Sequence, residues 1–232
     1  MTPSRVAACE PLGPYVQVRL EPTFPGGEPG QFHMLRALSH DSFLARPLSA
    51  VASDASGVTF LCQPRGPALA ALAQVGAEVE VLGPFGHGFD ARAAGTAPLL
   101  VGGGFGVALL APLARLLPQA ALLAAFRDAD AARAAELVPS AEREIALPPA
   151  NVLDLLAARL PSASGVFAAG PDGLVRAVAT ACAGTGVACQ VALEAPMACG
   201  YGACYGCAVR LGGQIVRLCV EGPVVAGERV AA

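Results

Sequence analysis

"APLLVGGGFGVALLAPLARLL" (residues 97–117) is the longest apolar run in a chain of 232 residues, and its reading separates a membrane span from a buried strand–turn–helix unit. A spanning helix needs about 20 uninterrupted apolar residues. Here Gly102, Gly103 and Gly104 break the run, Pro98 and Pro112 flank the break, and Arg115 lies near its end. Strand, glycine turn and buried helix is the reading these residues favour.

The same rhythm recurs downstream. "AALLAAF" precedes "DADAARAAELV", "SGVFAAG" precedes "PDGLVRAVATACAG", and "GVACQVALE" closes the series as a strand. Strands alternating with helices predict βαβ units and a parallel sheet, with ligands bound at the carboxyl ends of its strands. Upstream the pattern differs: "YVQVRLEP", "QFHMLRAL", "VTFLCQ" and "AEVEVLGP" are short strand-like runs between turn residues, which predict a small antiparallel barrel or sandwich. The expected organisation is a β-barrel over residues 1–92, an α/β domain with a parallel sheet over 93–193, and a cysteine-bearing segment over 194–232.

Composition narrows the function classes. The chain is 54% hydrophobic and 14% charged, but the apolar residues are not contiguous, so no membrane span is expected. No basic-then-apolar start marks a signal peptide, and a cytoplasmic location is the expectation. The formal net charge is −3 with no basic run, which lacks the electrostatic footprint of nucleic-acid binding.

"MACGYGACYGCAV" (197–209) carries Cys199, Cys204 and Cys207, and Cys219 follows. The x4 and x2 spacing with a distant fourth cysteine matches the plant-type [2Fe–2S] pattern. Such a cluster is tuned by backbone N–H donors that must approach closely, and Gly200, Gly202 and Gly206 permit that approach. Four cysteines also make a zinc site, although structural zinc usually uses paired C-x2-C hooks and this loop has one. Cys9, Cys62, Cys182 and Cys189 sit in apolar contexts without partner spacing and are expected in the core. His33, His40 and His87 show no metal spacing and are expected at the surface or in a cofactor pocket.

"RPLSA" (46–50) opens a predicted strand. Its arginine suits a pyrophosphate and its serine a hydrogen bond to a ring or phosphate, though Arg-Pro with a small polar residue is also a common strand entry. "GGGFG" (102–106) lies between strand and helix, where backbone can approach a ligand, but it is not the G-x-G-x-x-G fingerprint.

"PGQF" (29–32), "RPLSA", "GPFGHGF" (83–89) and "LLVGGGFGVALLAPL", in this order, resemble the ferredoxin–NADP reductase-like flavoproteins. With "EAPMACGYGACYGC" and "CVEGPVV", the chain more narrowly resembles the electron-transfer subunits of NAD-dependent (class 1B) dihydroorotate dehydrogenases. The resemblance implies a barrel that binds FAD, an α/β domain that binds NAD and a C-terminal [2Fe–2S] cluster. It implies a partner too, an FMN-containing catalytic subunit that oxidises dihydroorotate, with two copies of each chain. Electrons would pass from FMN through the cluster and FAD to NAD, and no acid–base catalyst is assigned to this chain.

By position, Arg46, Pro47, Leu48 and Ser49 would hold the flavin, with Ser49 near its ring. Gly102, Gly103 and Gly104 would face nicotinamide and flavin, Gly170 and Pro171 would lie beside the nicotinamide, and Cys199, Cys204, Cys207 and Cys219 would ligate the cluster. Three departures stand out. The family's Gly-x-Gly-Thr pyrophosphate stretch falls on "GPAL" (66–69), where only Gly66 is kept. Ala169 replaces the usual cysteine of "AAGPDGL" (168–174). The segment "SAEREIALPPANVLDLL" (140–156) replaces an acidic, glycine-rich one and is expected to reshape the dinucleotide side, where Arg127 and Asp128 end a strand. The same three modules also occur in reductase subunits of hydrogenase or ferredoxin:NADP oxidoreductase complexes, and a zinc-stabilised regulatory module is the non-redox alternative.

Overall fold

The computed structural model describes residues 2–38 and 43–231. The first half is a sheet of strands β1 (Thr2–Leu12), β2 (Tyr15–Glu21), β3 (Phe32–Ala37), β4 (Arg46–Leu48), β5 (Ala50–Asp54), β6 (Gly57–Cys62) and β7 (Glu78–Phe85), with the short helix α1 (Pro67–Leu72) between the last two. All its pairings are antiparallel, in the order β4-β3-β7-β1-β2-β6-β5, and the sheet curls until β4 contacts β6. Alternation drives the curl. Inward residues such as Val18, Leu20, Leu35, Phe60, Val79 and Val81 fill a common interior, while their neighbours face outward.

His33 belongs to this interior, not to the surface or a cofactor pocket as its sequence context implies. It is fully buried, packed edge-on against Phe24 and Phe60, with Nε2 2.9 Å from the Pro25 carbonyl oxygen. Burial lowers its pKa below the ordinary value, against the opposing pull of the Pro25 carbonyl. The unfolded chain therefore binds more protons below about pH 6.5, so stability falls as pH drops through that value and levels off below the folded-state pKa. Melting curves from about pH 7.5 to about pH 5 should show a shallower decline for His33→Phe than for the parent, and equal slopes would refute a buried neutral imidazole.

The second half begins with β8 (Pro98–Gly103), whose six residues are all buried. A 3-10 turn over Gly104–Leu109 and helix α2 (Leu110–Leu116) follow, so the predicted single helix is divided. Next come β9 (Ala121–Ala125), α3 (Ala129–Ala132), β10 (Glu142–Ala146), α4 (Val152–Arg159), β11 (Gly165–Ala169), α5 (Asp172–Cys182) and β12 (Ala188–Ala192). The hairpin β13 (Ala208–Leu211) and β14 (Gln214–Arg217), helix α6 (Leu218–Glu221), β15 (Val224–Ala226) and α7 (Glu228–Ala231) complete the described chain. The sheet order is β10-β9-β8-β11-β12-β15, parallel except for the last strand. From β8 the chain moves outward to β9 and β10, then returns to the other side of β8 as β11. The strand order reverses between β8 and β11, which is where open α/β sheets leave a crevice for ligands.

Backbones meet closely at this reversal. A Cβ added to Gly106 would lie 2.4 Å from Gly170 Cα, and one added to Gly103 would lie 2.5 Å from a Leu174 methyl. Gly102 packs in the same way, since its Cβ would lie 2.8 Å from Val107 Cγ2. Apolar packing also joins the halves: Leu12, Tyr15, Val51 and Leu61 of the barrel share one core with Val107, Leu110 and Leu113. No helix among the described residues is long and apolar enough to cross a membrane.

Candidate functional site

Three adjoining cavities and one loop form the candidate site. The first cavity, about 430 Å³, lies between β4, the turn before α1 and the reversal point, with Arg46, Pro47, Leu48, Arg65, Gly103 and Pro171 in its walls. The second, about 200 Å³, continues from it past Ser49 to Phe32, Leu193 and Met197. A third, about 570 Å³, opens at the carboxyl ends of β8 and β9 and is bounded by Tyr15, Arg127, Asn151, Gly104 and Pro171. Phe105 reaches all three cavities and packs against Tyr15 with ring centroids 5.9 Å apart.

The first two cavities combine cationic and apolar walls. Arg46 and Arg65 supply positive charge, while Leu48, Leu69 and Phe105 supply apolar surface. This donor set fits a flavin dinucleotide, which carries a planar apolar ring and a diphosphate. Glu194, just beyond β12, lines both cavities; its side chain keeps solvent access, yet the protein around its carboxyl group desolvates it and raises its pKa.

The third cavity fits a second nucleotide at the sheet's carboxyl edge. The altered 140–156 segment frames this cavity: β10 pairs in parallel with β9, and Asn151 caps α4 by accepting from Leu153 N at 3.0 Å, so residues 151–153 become its wall. Arg127 pairs with Asp128 at 2.9 Å, and Asp128 in turn caps α3 by accepting from Ala131 N at 2.7 Å. That hydrogen bond, with Arg127 beside it, holds the Asp128 carboxyl below the usual carboxylate range.

The cysteine loop leaves the second cavity directly, since Met197 lines that cavity and stands two positions before Cys199. The Cys207 and Cys219 sulfurs are 3.2 Å apart and buried, while Cys199 accepts from the Cys204 side chain nearer the surface. The four sulfurs fall into two pairs, a donor set that fits a two-iron cluster. Burial raises the Cys199 thiol, but the N–H groups of Cys204 and Tyr201, the Cys204 thiol and the Ala203 N–H together outweigh it and bring the pKa down to about 6. Those donors suit a bound anion. Burial and the Cys207 thiol push Cys219 up to about 12.

Local geometry explains Gly200 and Gly202, whereas Gly206 has an ordinary φ and a Cβ there would make only ordinary contacts, 3.5 Å from Cys204 Sγ. Gly200 and Gly202 have φ of 80° and 89°, and a Cβ on Gly200 would lie 2.5 Å from Met34 Cγ. Tyr205 also takes a positive φ, of 59°, and its ring lies beneath the Arg217 guanidinium at 5.2 Å. Arg217 also donates to the Gly202 carbonyl at 3.3 Å. Tyr201 and Tyr205 remain exposed beside the sulfurs.

The structure brings together Arg46, Pro47, Leu48 and Ser49 with Gly103 and Pro171 around adjoining cavities, and Gly104 at the third. Gly66 lies between Arg65 and Pro67 at the start of α1, while Gly102 and Gly170 make packing contacts at the reversal point. Sequence reasoning passed over Phe105, Arg65, Glu194 and Arg217. Phe105 lies inside "GGGFG", Arg65 directly before "GPAL" and Glu194 at the head of "EAPMACGYGACYGC", so only Arg217 stands outside the quoted motifs. Cys62, Cys182 and Cys189 are buried as expected, but Cys9 is only half-buried. His87 is exposed and bridges to Pro223, and His40 lies outside the described residues.

A family model for the iron–sulfur cluster binding domain of dihydroorotate dehydrogenase B matches residues 194–231. The dihydroorotate dehydrogenase B (NAD(+)) electron transfer subunit of Geobacillus thermodenitrificans is 34% identical over 225 residues, covering 88% of this chain and 87% of that protein. Its counterpart in Caldanaerobacter subterraneus is 32% identical over 215 residues, covering 87% and 86%. Among solved structures, an NADH-dependent reduced ferredoxin-NADP oxidoreductase superposes with a TM-score of 0.81 at 22% identity, covering 99% of this chain and 90% of that one, which is a likeness of fold.

Proposed function

The chain belongs to the family of dihydroorotate dehydrogenase B (NAD(+)) electron transfer subunits, and from that premise we propose that it relays electrons from a catalytic partner through a [2Fe–2S] cluster and FAD to NAD in pyrimidine biosynthesis, as part of a cytoplasmic assembly. The observation that carries this reading is the continuity of the site: Met197 lines the flavin-side cavity and stands two positions before Cys199. When bound, FAD exchanges single electrons with the cluster and a hydride with NAD.

This chain's own residues bind and shield. Arg46 offers a charged fork to a diphosphate, Ser49 a hydroxyl to the ring, and Leu48 and Phe105 exclude water. Cys199 and Cys204 form one ligand pair and Cys207 and Cys219 the other. Gly103, Gly104 and Pro171 border the space for a nicotinamide nucleotide.

The partner in this reading is an FMN-containing subunit that oxidises dihydroorotate to orotate, two copies of each chain making the assembly. Tyr201, with 62% of its surface exposed beside Cys199, supplies an aromatic contact of the kind enriched at interfaces. Alone, the chain should reduce artificial acceptors with NADH and leave dihydroorotate untouched. Adding the partner should create dihydroorotate:NAD activity, and Tyr201→Asp should cut it with iron and flavin retained. Oxidation of dihydroorotate by the isolated chain would overturn the relay, as would failure of NADH to reduce its flavin.

A further inference from the structure

Two arginines face the first cavity. Arg46 enters from β4 and Arg65 from the turn before α1, and among the described residues neither forms an ion pair, although Glu194 borders the same space. Arg65 is also braced. With its amide oxygen turned toward the guanidinium, Gln63 accepts from Nε and Nη2 of Arg65 at 3.3 Å, which leaves the other terminal nitrogen free to donate.

The turn that follows Arg65 offers an anion neither a hydroxyl nor a charge of its own. Gly66 has φ of 76° and contributes no side-chain cap, Pro67 has no N–H, and α1 is only six residues long. "GPAL" therefore lacks a hydroxyl and one helix-start N–H, keeping those of Ala68 and Leu69, and the charge nearest to it in sequence is that of Arg65. Arg65 stands next to this gap and lines both the first cavity and the third.

We infer that Arg65 is a diphosphate-binding residue: with Arg46 it grips the diphosphate of a bound dinucleotide at the wall shared by the flavin-side and nucleotide-side cavities. This rests on the reading that FAD and NAD both bind here. Either dinucleotide carries the required diphosphate. The first cavity, FAD's, is the favoured source, because Arg46 lines it beside Arg65, whereas the other arginine of the third cavity, Arg127, already pairs with Asp128.

The test uses the full chain freed of flavin and titrated with FAD and riboflavin by flavin fluorescence, and separately with NADH by nicotinamide fluorescence. Arg65→Ala should raise the Kd for FAD about 10- to 100-fold, the loss of charge-assisted hydrogen bonds, and leave riboflavin, which has no phosphate, unchanged. Arg65→Lys should recover part of the loss, because an ammonium keeps the charge but not the fork. A weakened NADH complex with FAD binding intact would also support the diphosphate role and assign it to the nicotinamide dinucleotide. Unchanged Kd values for both dinucleotides would overturn the inference, as would an equal loss for riboflavin. Failure of the parent chain to bind either dinucleotide would overturn the underlying cofactor reading instead. Should Arg65→Ala not fold, the same comparison between the parent and Arg65→Lys decides the question.

Discussion

Serine in place of Cys207 is expected to empty the chain of iron while the fold and the flavin persist. Cys207 is 2% exposed and its sulfur lies 3.2 Å from that of Cys219, so the substituted hydroxyl would remain at the ligand position with nothing to replace it. A hydroxyl is a harder and much less acidic ligand than a thiol, and iron–sulfur clusters depend on soft thiolates. Iron and acid-labile sulfide should fall from about two each per chain to background. Dihydroorotate:NAD transfer in the assembled complex should be abolished, while NADH reduction of an artificial acceptor through FAD survives. Full iron content with normal transfer would exclude Cys207 as a ligand.

Gly106→Ala is the second large effect. The added methyl would lie 2.4 Å from Gly170 Cα and 2.5 Å from Gly170 N, and both obstacles are backbone, so no rotamer change relieves the clash. Overpacking of this kind costs about 1–3 kcal/mol, a fall in Tm of roughly 2–12 °C for a chain of this size. Because the 3-10 turn after β8 and the turn between β11 and α5 must move apart, the cofactor cavities should deform and flavin and NADH affinities fall together. Gly173 is the contrast: nothing lies within 4 Å of its Cβ position and it sits in α5, so Gly173→Ala should hold or raise stability, by up to about 1 kcal/mol. Equal melting temperatures for the parent and Gly106→Ala would refute the close crossing.

Local pattern accounts for what the sequence revealed. Alternating strands, glycine turns and apolar helices located the parallel sheet, and the cysteine spacing located the cluster loop, because each is a short-range signal. β10 was hidden because "EREIA" is an edge strand with one buried residue in five and reads as a polar segment. β1 was hidden by Pro3 and Pro11 at its ends and by a half-polar face. The glycines of "GGGFG" invited a ligand-approach reading, yet Gly102, Gly103 and Gly106 also answer to packing across strands distant in sequence. Arg65, Phe105 and Glu194 meet only because the barrel and the sheet reversal bring them together, and no periodicity within one segment encodes that.

The antiparallel edge strand β15 has a consequence for how the cluster segment relates to the rest of the chain. Leu193 N donates to Pro223 O at 2.9 Å where β12 ends and β15 begins, so the excursion carrying all four cysteines starts and finishes at one hydrogen-bonded point. A segment whose ends are already held together is inexpensive to lengthen or exchange: doubling a closed loop costs only about 0.6 kcal/mol in chain entropy. The cluster unit is in this sense a cassette set into the edge of a nucleotide-binding sheet. Its length can change without asking the sheet to find a new register.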